Sequence, residues 1–365
     1  MGKTFVYNQT VEDSESMEYL DLSFGMFFDG TLNNRENSKL RAKVLDGTAT
    51  PEEQALYKEN SVDISDKIFG NSPNNSYVND FSNIARQSMC CLQKYAIYIE
   101  GIGTEDREHD STSGFMLGSG KTGIRDKVRK GCEELVNRIK EIKKNNRKQD
   151  IRNLTLDVLG FSRGAAAARN FLYEVNVKPA YPAQKQQQVI EQSNNYARVI
   201  TDFKDSDGEL IDESLLENNL LPARGHFGYK LLESGAFSKE ELENLTLTIR
   251  FLGVYDTVSS YEEAGDGDAP VMYTGMKRLA VNIFNDVEEL QLNNLGPIKK
   301  AVHFTAMDEH RENFSLTRLS IHGAIEKAFP GVHSDIGGSY DSGVEIINEV
   351  ETSNNISEEE LITFR

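Results

Sequence analysis

The sequence predicts an α/β fold: a mostly parallel sheet flanked by helices, in one domain interrupted by two polar insertions. Three observations lead there. Short apolar runs of strand length alternate with stretches of helical period. Several of those runs end on Asp, Gly, Ser or His, and an open parallel sheet collects its chemistry at the carboxyl ends of its strands. The composition, 38% hydrophobic and 27% charged over 365 residues, supports a packed core and excludes wholesale disorder. A single domain spanning 1–365 is large for one unit. Insertions at about 33–75 and 177–245 account for the excess.

The elements follow in order. Leu22 to Phe28 reads as a buried strand ended by Asp29-Gly30. Residues 33–75 are rich in Asn, Ser, Glu and Lys and read as a surface insertion. Asn79 to Lys94 has helical period, with Phe81, Ile84, Ala85, Met89 and Leu92 on one side. Tyr95 to Ile99 is a second strand, ended by Gly101-Ile102-Gly103. A glycine-rich loop follows, then a helix from about Ile124 to Lys144. Leu154 to Leu159 is a third strand, running straight into Gly160-Phe161-Ser162-Arg163-Gly164 and an alanine-rich helix. Residues 177–245 form the second polar insertion, part of it helical. Leu247 to Tyr255 and Ala301 to Ala306 are further strands, ended by Asp256 and Asp308. Ala328 to His333 reads as a short sixth strand before Ser334-Asp335-Ile336-Gly337-Gly338. The final stretch, Ser353 to Arg365, stops within what reads as a new helix and strand, as a truncated or processed chain would.

Charge narrows the function classes. Lys plus Arg number 40 against 58 Asp plus Glu, a formal net charge of −18. A chain this acidic is a poor nucleic-acid binder and gains little from an anionic membrane. The three cysteines, Cys90, Cys91 and Cys132, contain no CxxC pair, so neither a zinc site nor a disulfide framework is expected. The opening Met1-Gly2-Lys3-Thr4-Phe5-Val6 lacks a Sec-type apolar run, and Val6 stands where a myristoylation motif wants Ser or Thr. No window approaches roughly 18 consecutive apolar residues, so membrane contact would be peripheral rather than integral.

Gly160 to Gly164 matches G-x-S-x-G in the context that gives the motif meaning, a strand before it and a helix after it. That turn exposes a serine nucleophile at the top of a sheet. Small residues relieve crowding where strand and helix approach, and the backbone N–H of Arg163 becomes an oxyanion donor at the helix N-terminus. Ser162 then needs a histidine base and an orienting carboxylate. In α/β-hydrolases the chain order is Ser, acid, His. Of six histidines, His333 sits in a late glycine-flanked loop. His109 precedes the serine, His226 lies in the polar insertion, and His303 is inside a strand as a core or supporting residue. His310 and His322 have no glycine-rich loop beside them. Asp256 and Asp308 both end strands between Ser162 and His333, and order alone leaves them equal. Asp335 is better placed as a loop staple or a substrate-side group. The early loop Asp29-Gly30-Thr31 supplies the second oxyanion donor, from Gly30 or Thr31, unless it is only an Asx-type turn.

Four segments, "FFDGTLNN", "GFSRGAAAAR", "VYDTV" and "FPGVHSDIGGSY", together with "YIEGIGTE" and "TAMDEHR", occur in the order found in one family. The sequence resembles the α/β-hydrolase catalytic domain of type VI secretion phospholipase effectors across residues 22 to 340. The resemblance implies Ser162 as nucleophile, Asp256 as acid and His333 as base, which leaves Asp29, Asp308 and Asp335 as candidate supporting carboxylates. It implies phospholipase A action on glycerophospholipids without cofactor or metal. It further implies a secretion spike protein and an immunity protein as partners, synthesis in the bacterial cytoplasm, and delivery into a target cell's periplasm. Characterised effectors of this kind are longer and carry a region implicated in membrane contact, which these 365 residues do not show. An esterase of other substrate, or an idle hydrolase-like binding module, is the alternative.

Other signals fail. Gly120-Lys121-Thr122 imitates a phosphate loop, but Phe115 stands where its first glycine belongs, with Gly114 one residue out. The loop from Gly101 to Gly123 reads instead as a flap, with Phe115, Met116 and Leu117 able to touch an acyl chain. Asp205-Ser206-Asp207-Gly208-Glu209 lacks a full calcium ladder and reads as a solvated acidic turn. A carboxylate metal enzyme built on Asp29, Asp256, Asp308 and Asp335 is a weaker third reading.

Overall fold

A computed structural model describes residues 19–61, 75–110, 122–146, 149–193, 196–259, 287–311 and 314–339. Its centre is a six-stranded sheet, every pairing parallel, in the order β11-β10-β9-β3-β1-β2. The strands are β1 (Tyr19–Phe28), β2 (Ala96–Ile99), β3 (Asp150–Phe161), β9 (Thr246–Tyr255), β10 (Ala301–Ala306) and β11 (Ile325–Phe329). Five more strands lie outside it among the described residues: β4 (Tyr181–Pro182), β5 (Gln184–Ser193), β6 (Tyr196–Lys204), β7 (Leu210–Ile211) and β8 (Leu220–Leu221).

The interior strands are apolar on both faces because helices cover both faces. In β1, every residue from Phe24 to Phe28 is buried. The helix Ile124–Asn145 lays Val128, Cys132, Leu135 and Ile139, all fully buried, on one face. Their spacing is the stripe of a helix that packs one face on a core. Behind β3 runs the helix Arg163–Leu172, buried along its whole length. Its four alanines let it lie close to the sheet, and Phe171 meets Phe28 with ring centroids 5.3 Å apart.

Sheet order also places the site. The chain leaves β1 for β2 on one side and returns to β3 on the other. That reversal opens a crevice at the carboxyl ends of β1 and β3. Asp29-Gly30-Thr31 and Ser162-Arg163 form its two lips.

Several expectations are corrected. The helix expected over Asn79–Lys94 is shorter, Asn83–Met89, because Ser82 caps it by accepting from Ala85 N–H at 3.0 Å. Leu92 lies beyond its end and is 69% exposed. The sixth strand ends at Phe329, and His333 instead opens a short helix, His333–Gly337. Residues 33–60 hold two helices, Arg35–Leu45 and Pro51–Asn60, capped by Asn34 and Thr50. Asn34, Asn37, Ser38 and Leu40 are buried, so this part is packed rather than superficial.

The second insertion is likewise only partly superficial. β5 and β6 form an antiparallel hairpin extended by β7. The helix Gly225–Glu233 buries His226, Phe227 and Leu231, the latter two in the main core with Leu135. Lys239–Asn244 then leads into β9. The acidic turn is exposed from Ser206 to Glu209, as expected, but it is anchored from within. Asp205 is buried and pairs with Arg129 at 2.5 Å, and Asp207 bonds Arg125 at 2.8 Å. Phe115, Met116 and Leu117, with Gly120-Lys121, lie outside the described residues, as does the tail Ser353–Arg365. Among the described residues no helix is long and apolar enough to cross a membrane.

Candidate active site

Ser162 sits on the turn between β3 and the helix Arg163–Leu172, with φ 58° and ψ −129°. A non-glycine residue rarely holds that conformation, and such strain concentrates at functional sites. The surroundings enforce it. Ser162 N–H donates to Tyr255 O at 3.0 Å, and its carbonyl accepts from Ala165 N–H at 3.0 Å. The flanking glycines are steric necessities. A Cβ on Gly164 would stand 2.0 Å from Asp29 O, and one on Gly160 would stand 2.6 Å from Gly164 O.

Asp256 follows β9 and also lies at positive φ, 37°. Its N–H donates to Phe304 O at 2.7 Å. Its carboxylate, 2% exposed, accepts from Ala306 N–H at 2.9 Å through Oδ1 and meets His333 Nδ1 at 2.6 Å through Oδ2. The His333 ring is buried and touches two aromatic rings. Phe161, the residue before Ser162, has its centroid 4.7 Å away at a tilt, and Phe314 approaches edge-on at the same distance. The backbone N–H of His333 donates to Glu309 Oε2 at 3.1 Å. Burial raises the Glu309 carboxyl, but Arg311 and the His333 N–H outweigh it and hold it down at about 2. The sequence did not single out Glu309 or Phe314. The block "TAMDEHR" contains Glu309 but says nothing of its reach to residue 333.

The other carboxylates do separate work. Asp308 Oδ2 accepts from Gly331 N–H at 2.7 Å, and Asp335 Oδ2 accepts from Val332 N–H at 2.8 Å. Both therefore brace the loop that delivers His333. Asp29 is buried and accepts from Ser82 Oγ and Tyr98 Oη, each at 2.6 Å. Burial pushes its carboxyl up to about 6 against those donors. With four different sets of partners, Asp29, Asp256, Asp308 and Asp335 do not converge. Among the described residues no group of three or more His, Cys, Asp or Glu is disposed to hold a metal ion.

Two lips of the crevice carry backbone donors. Gly30 N–H is already engaged by Asp29 Oδ1 at 2.8 Å, which takes it out of the expected pair. Thr31 and Arg163 keep theirs without an acceptor among the described residues. Arg163 Nε donates to Thr31 Oγ1 at 2.8 Å, tying the two lips together.

The remaining histidines are elsewhere engaged or exposed. His226 Nε2 lies 2.9 Å from Glu133. His303 is fully buried, with Nδ1 3.1 Å from Glu326 and Nε2 accepting from Thr257 N–H at 3.2 Å. It thus supports the backbone directly after Asp256.

Among solved structures, the chain is similar to the Tle1 effector bound to the VgrG spike from the type 6 secretion system. Identity is 23% with a TM-score of 0.43, over 93% of this chain and 56% of that one. It is also similar to an uncharacterized protein from Pseudomonas aeruginosa, at 15% identity and a TM-score of 0.37, over 88% of this chain and 42% of that one. The chain thus spans little more than half the length of the first structure. No curated protein matches it. The model of one family matches residues 26–359, nearly the whole chain, so the protein belongs to the T6SS phospholipase effector Tle1-like catalytic-domain family.

Proposed function

We propose that the protein is a serine lipolytic hydrolase, a phospholipase A that attacks glycerophospholipids through Ser162, His333 and Asp256. The observation that carries this reading is the 2.6 Å contact of His333 Nδ1 with buried Asp256, on a ring stacked against the residue before Ser162. Asp256 fixes the tautomer: Nδ1–H donates to the carboxylate, leaving Nε2 free to take the Ser162 proton. Ser162 Oγ attacks the ester carbonyl. The backbone N–H groups of Arg163 and Thr31 donate to the oxyanion, where preorganised donors act most strongly. Collapse expels the lysophospholipid oxygen, which takes the proton from His333. A water, deprotonated by His333, then releases the fatty acid from Ser162.

As an antibacterial effector, the protein would travel on a spike protein into a target cell's periplasm. The producer would hold an immunity protein. Contact with the bilayer is peripheral. The test is a panel of phosphatidylglycerol and phosphatidylethanolamine, with products read by mass spectrometry. Wild type should release fatty acid and lysolipid. Ser162→Ala should lower turnover by roughly 10³-fold or more with an unchanged thermal midpoint. Equal turnover by both proteins would remove Ser162 from the chemistry.

A further inference from the structure

Arginines in this protein are generally consumed by their surroundings. Arg169 is fully buried, yet its fork meets Leu292 O, Thr317 O, Arg318 O and Asn293 Oδ1. Arg125 and Arg129 face Asp207 and Asp205. Arg224 meets Val175 O and Leu245 O. Arg163 differs. Its residue is 9% exposed, and among the described residues its side chain makes one hydrogen bond, the Nε–H to Thr31 Oγ1. Neither terminal nitrogen has a protein acceptor among the described residues, and no carboxylate offsets the charge. Burial pulls its ordinary value down to about 10, which still leaves it charged at neutral pH. A cation held so deeply without an anion is costly. It is tolerated most readily where a ligand supplies the anion.

We propose that the Arg163 guanidinium is the subsite for the phosphodiester of the lipid headgroup. This rests on the lipase reading above. The scissile carbonyl would lie at the Arg163 backbone N–H. The phosphate of a glycerophospholipid stands a glycerol unit from that carbonyl, and the guanidinium stands a side-chain length from the same N–H. Its Nε–H is pinned on Thr31, which fixes the fork at the lip of the crevice. Two free N–H edges suit bidentate capture of phosphate oxygens. In a chain of net charge −18, this gives an anionic headgroup a local cation.

The test has a binding arm and a turnover arm. Wild type and Arg163→Met are titrated calorimetrically with glycerophosphoglycerol, glycerol and inorganic phosphate. Wild type should take the diester in preference to both others, and the variant should bind it about tenfold more weakly or worse. In turnover, the rate ratio of phosphatidylglycerol to diacylglycerol should fall about tenfold or more in Arg163→Met. Thr31→Val, which cuts the tie but keeps the cation, should lower both rates and preserve the ratio. Equal loss on both lipids in Arg163→Met would make Arg163 a brace for Thr31 and overturn the subsite. So would wild type that binds the diester no better than glycerol, a reading that stands even if Arg163→Met does not fold. Inorganic phosphate bound as well as the diester would also overturn it. Diester binding that depends on Arg163, with neither lipid hydrolysed, would sink the lipase reading and leave the subsite standing.

Discussion

At the scale of single residues, the two strand-end aspartates that chain order cannot separate have different partners. Asp256 holds the His333 ring, while Asp308 holds the backbone at Gly331. Asp256→Asn presents an amide to Nδ1 and favours the wrong tautomer, so turnover should fall by about 10⁴ with the fold retained. Asp308→Asn keeps an acceptor for Gly331 N–H and should cost far less. Steady-state rates of the two variants on one lipid check this, and a larger loss from Asp308→Asn would reverse the roles. His303 adds a pH dependence. Burial lowers its affinity for a proton, against the pull of Glu326. Neutral His303 accepts from Thr257 N–H, and protonation would remove that acceptor. Folded protein then binds fewer protons here than unfolded chain, so this contribution is lost as pH falls below the ordinary histidine range near 6.5. Asp29 has the opposite sign, since a carboxyl raised to about 6 gains stability as pH falls from 6 toward 3.8. Urea unfolding between pH 8 and 5 should therefore show a shallower acid loss in His303→Gln than in wild type. Equal slopes would mean His303 does not titrate with folding.

The elbow is the element on which the site depends, and its geometry predicts its weakest substitution. Gly164→Ala places a Cβ 2.0 Å from Asp29 O, backbone that cannot rotate away. The helix must retreat from β1, opening the crevice between Ser162 and Thr31. Loss of about 3 kcal/mol or more is expected, with activity falling beyond the unfolded fraction. A urea midpoint unchanged from wild type would show that the helix can shift from β1 without cost. The elbow was legible in sequence because each requirement leaves a residue: glycines for approach, alanines for packing, an apolar strand before the serine. Interior strands were legible for a similar reason, as burial on both faces writes a continuous apolar run. β11 was misplaced because it is an edge strand, and Glu326 and Lys327 do not read as sheet. The helix Asn83–Met89 was overdrawn because apolar spacing continues past its cap at Cys90. Glu309 was illegible, since its partner lies 24 positions away.

Across the whole molecule, polarity misled where polar groups have distant partners. Asn34 is buried because its Oδ1 caps a helix, accepting from Glu36 and Asn37 N–H at 2.9 and 3.1 Å. Asp205 and Asp207 form an acidic turn in sequence but close a hairpin onto Arg125 and Arg129, which lie on the long helix Ile124–Asn145. Such pairs consume the basic residues internally. Because each pair removes one charge of each sign, the net charge of −18 remains, from 58 acidic against 40 basic side chains. On the lipase reading, a protein of that net charge must approach an anionic bilayer against its own field. Exposed like charges repel over a Debye length of about 30 Å at 0.01 M salt and about 8 Å at 0.15 M. Association with phosphatidylglycerol vesicles should therefore strengthen as salt rises across that range, the reverse of a basic peripheral protein. Zwitterionic phosphatidylcholine vesicles should show little change. Cosedimentation at both ionic strengths reads this directly. Weaker binding to phosphatidylglycerol at the higher salt would mean that a basic patch, and not the net charge, governs the approach.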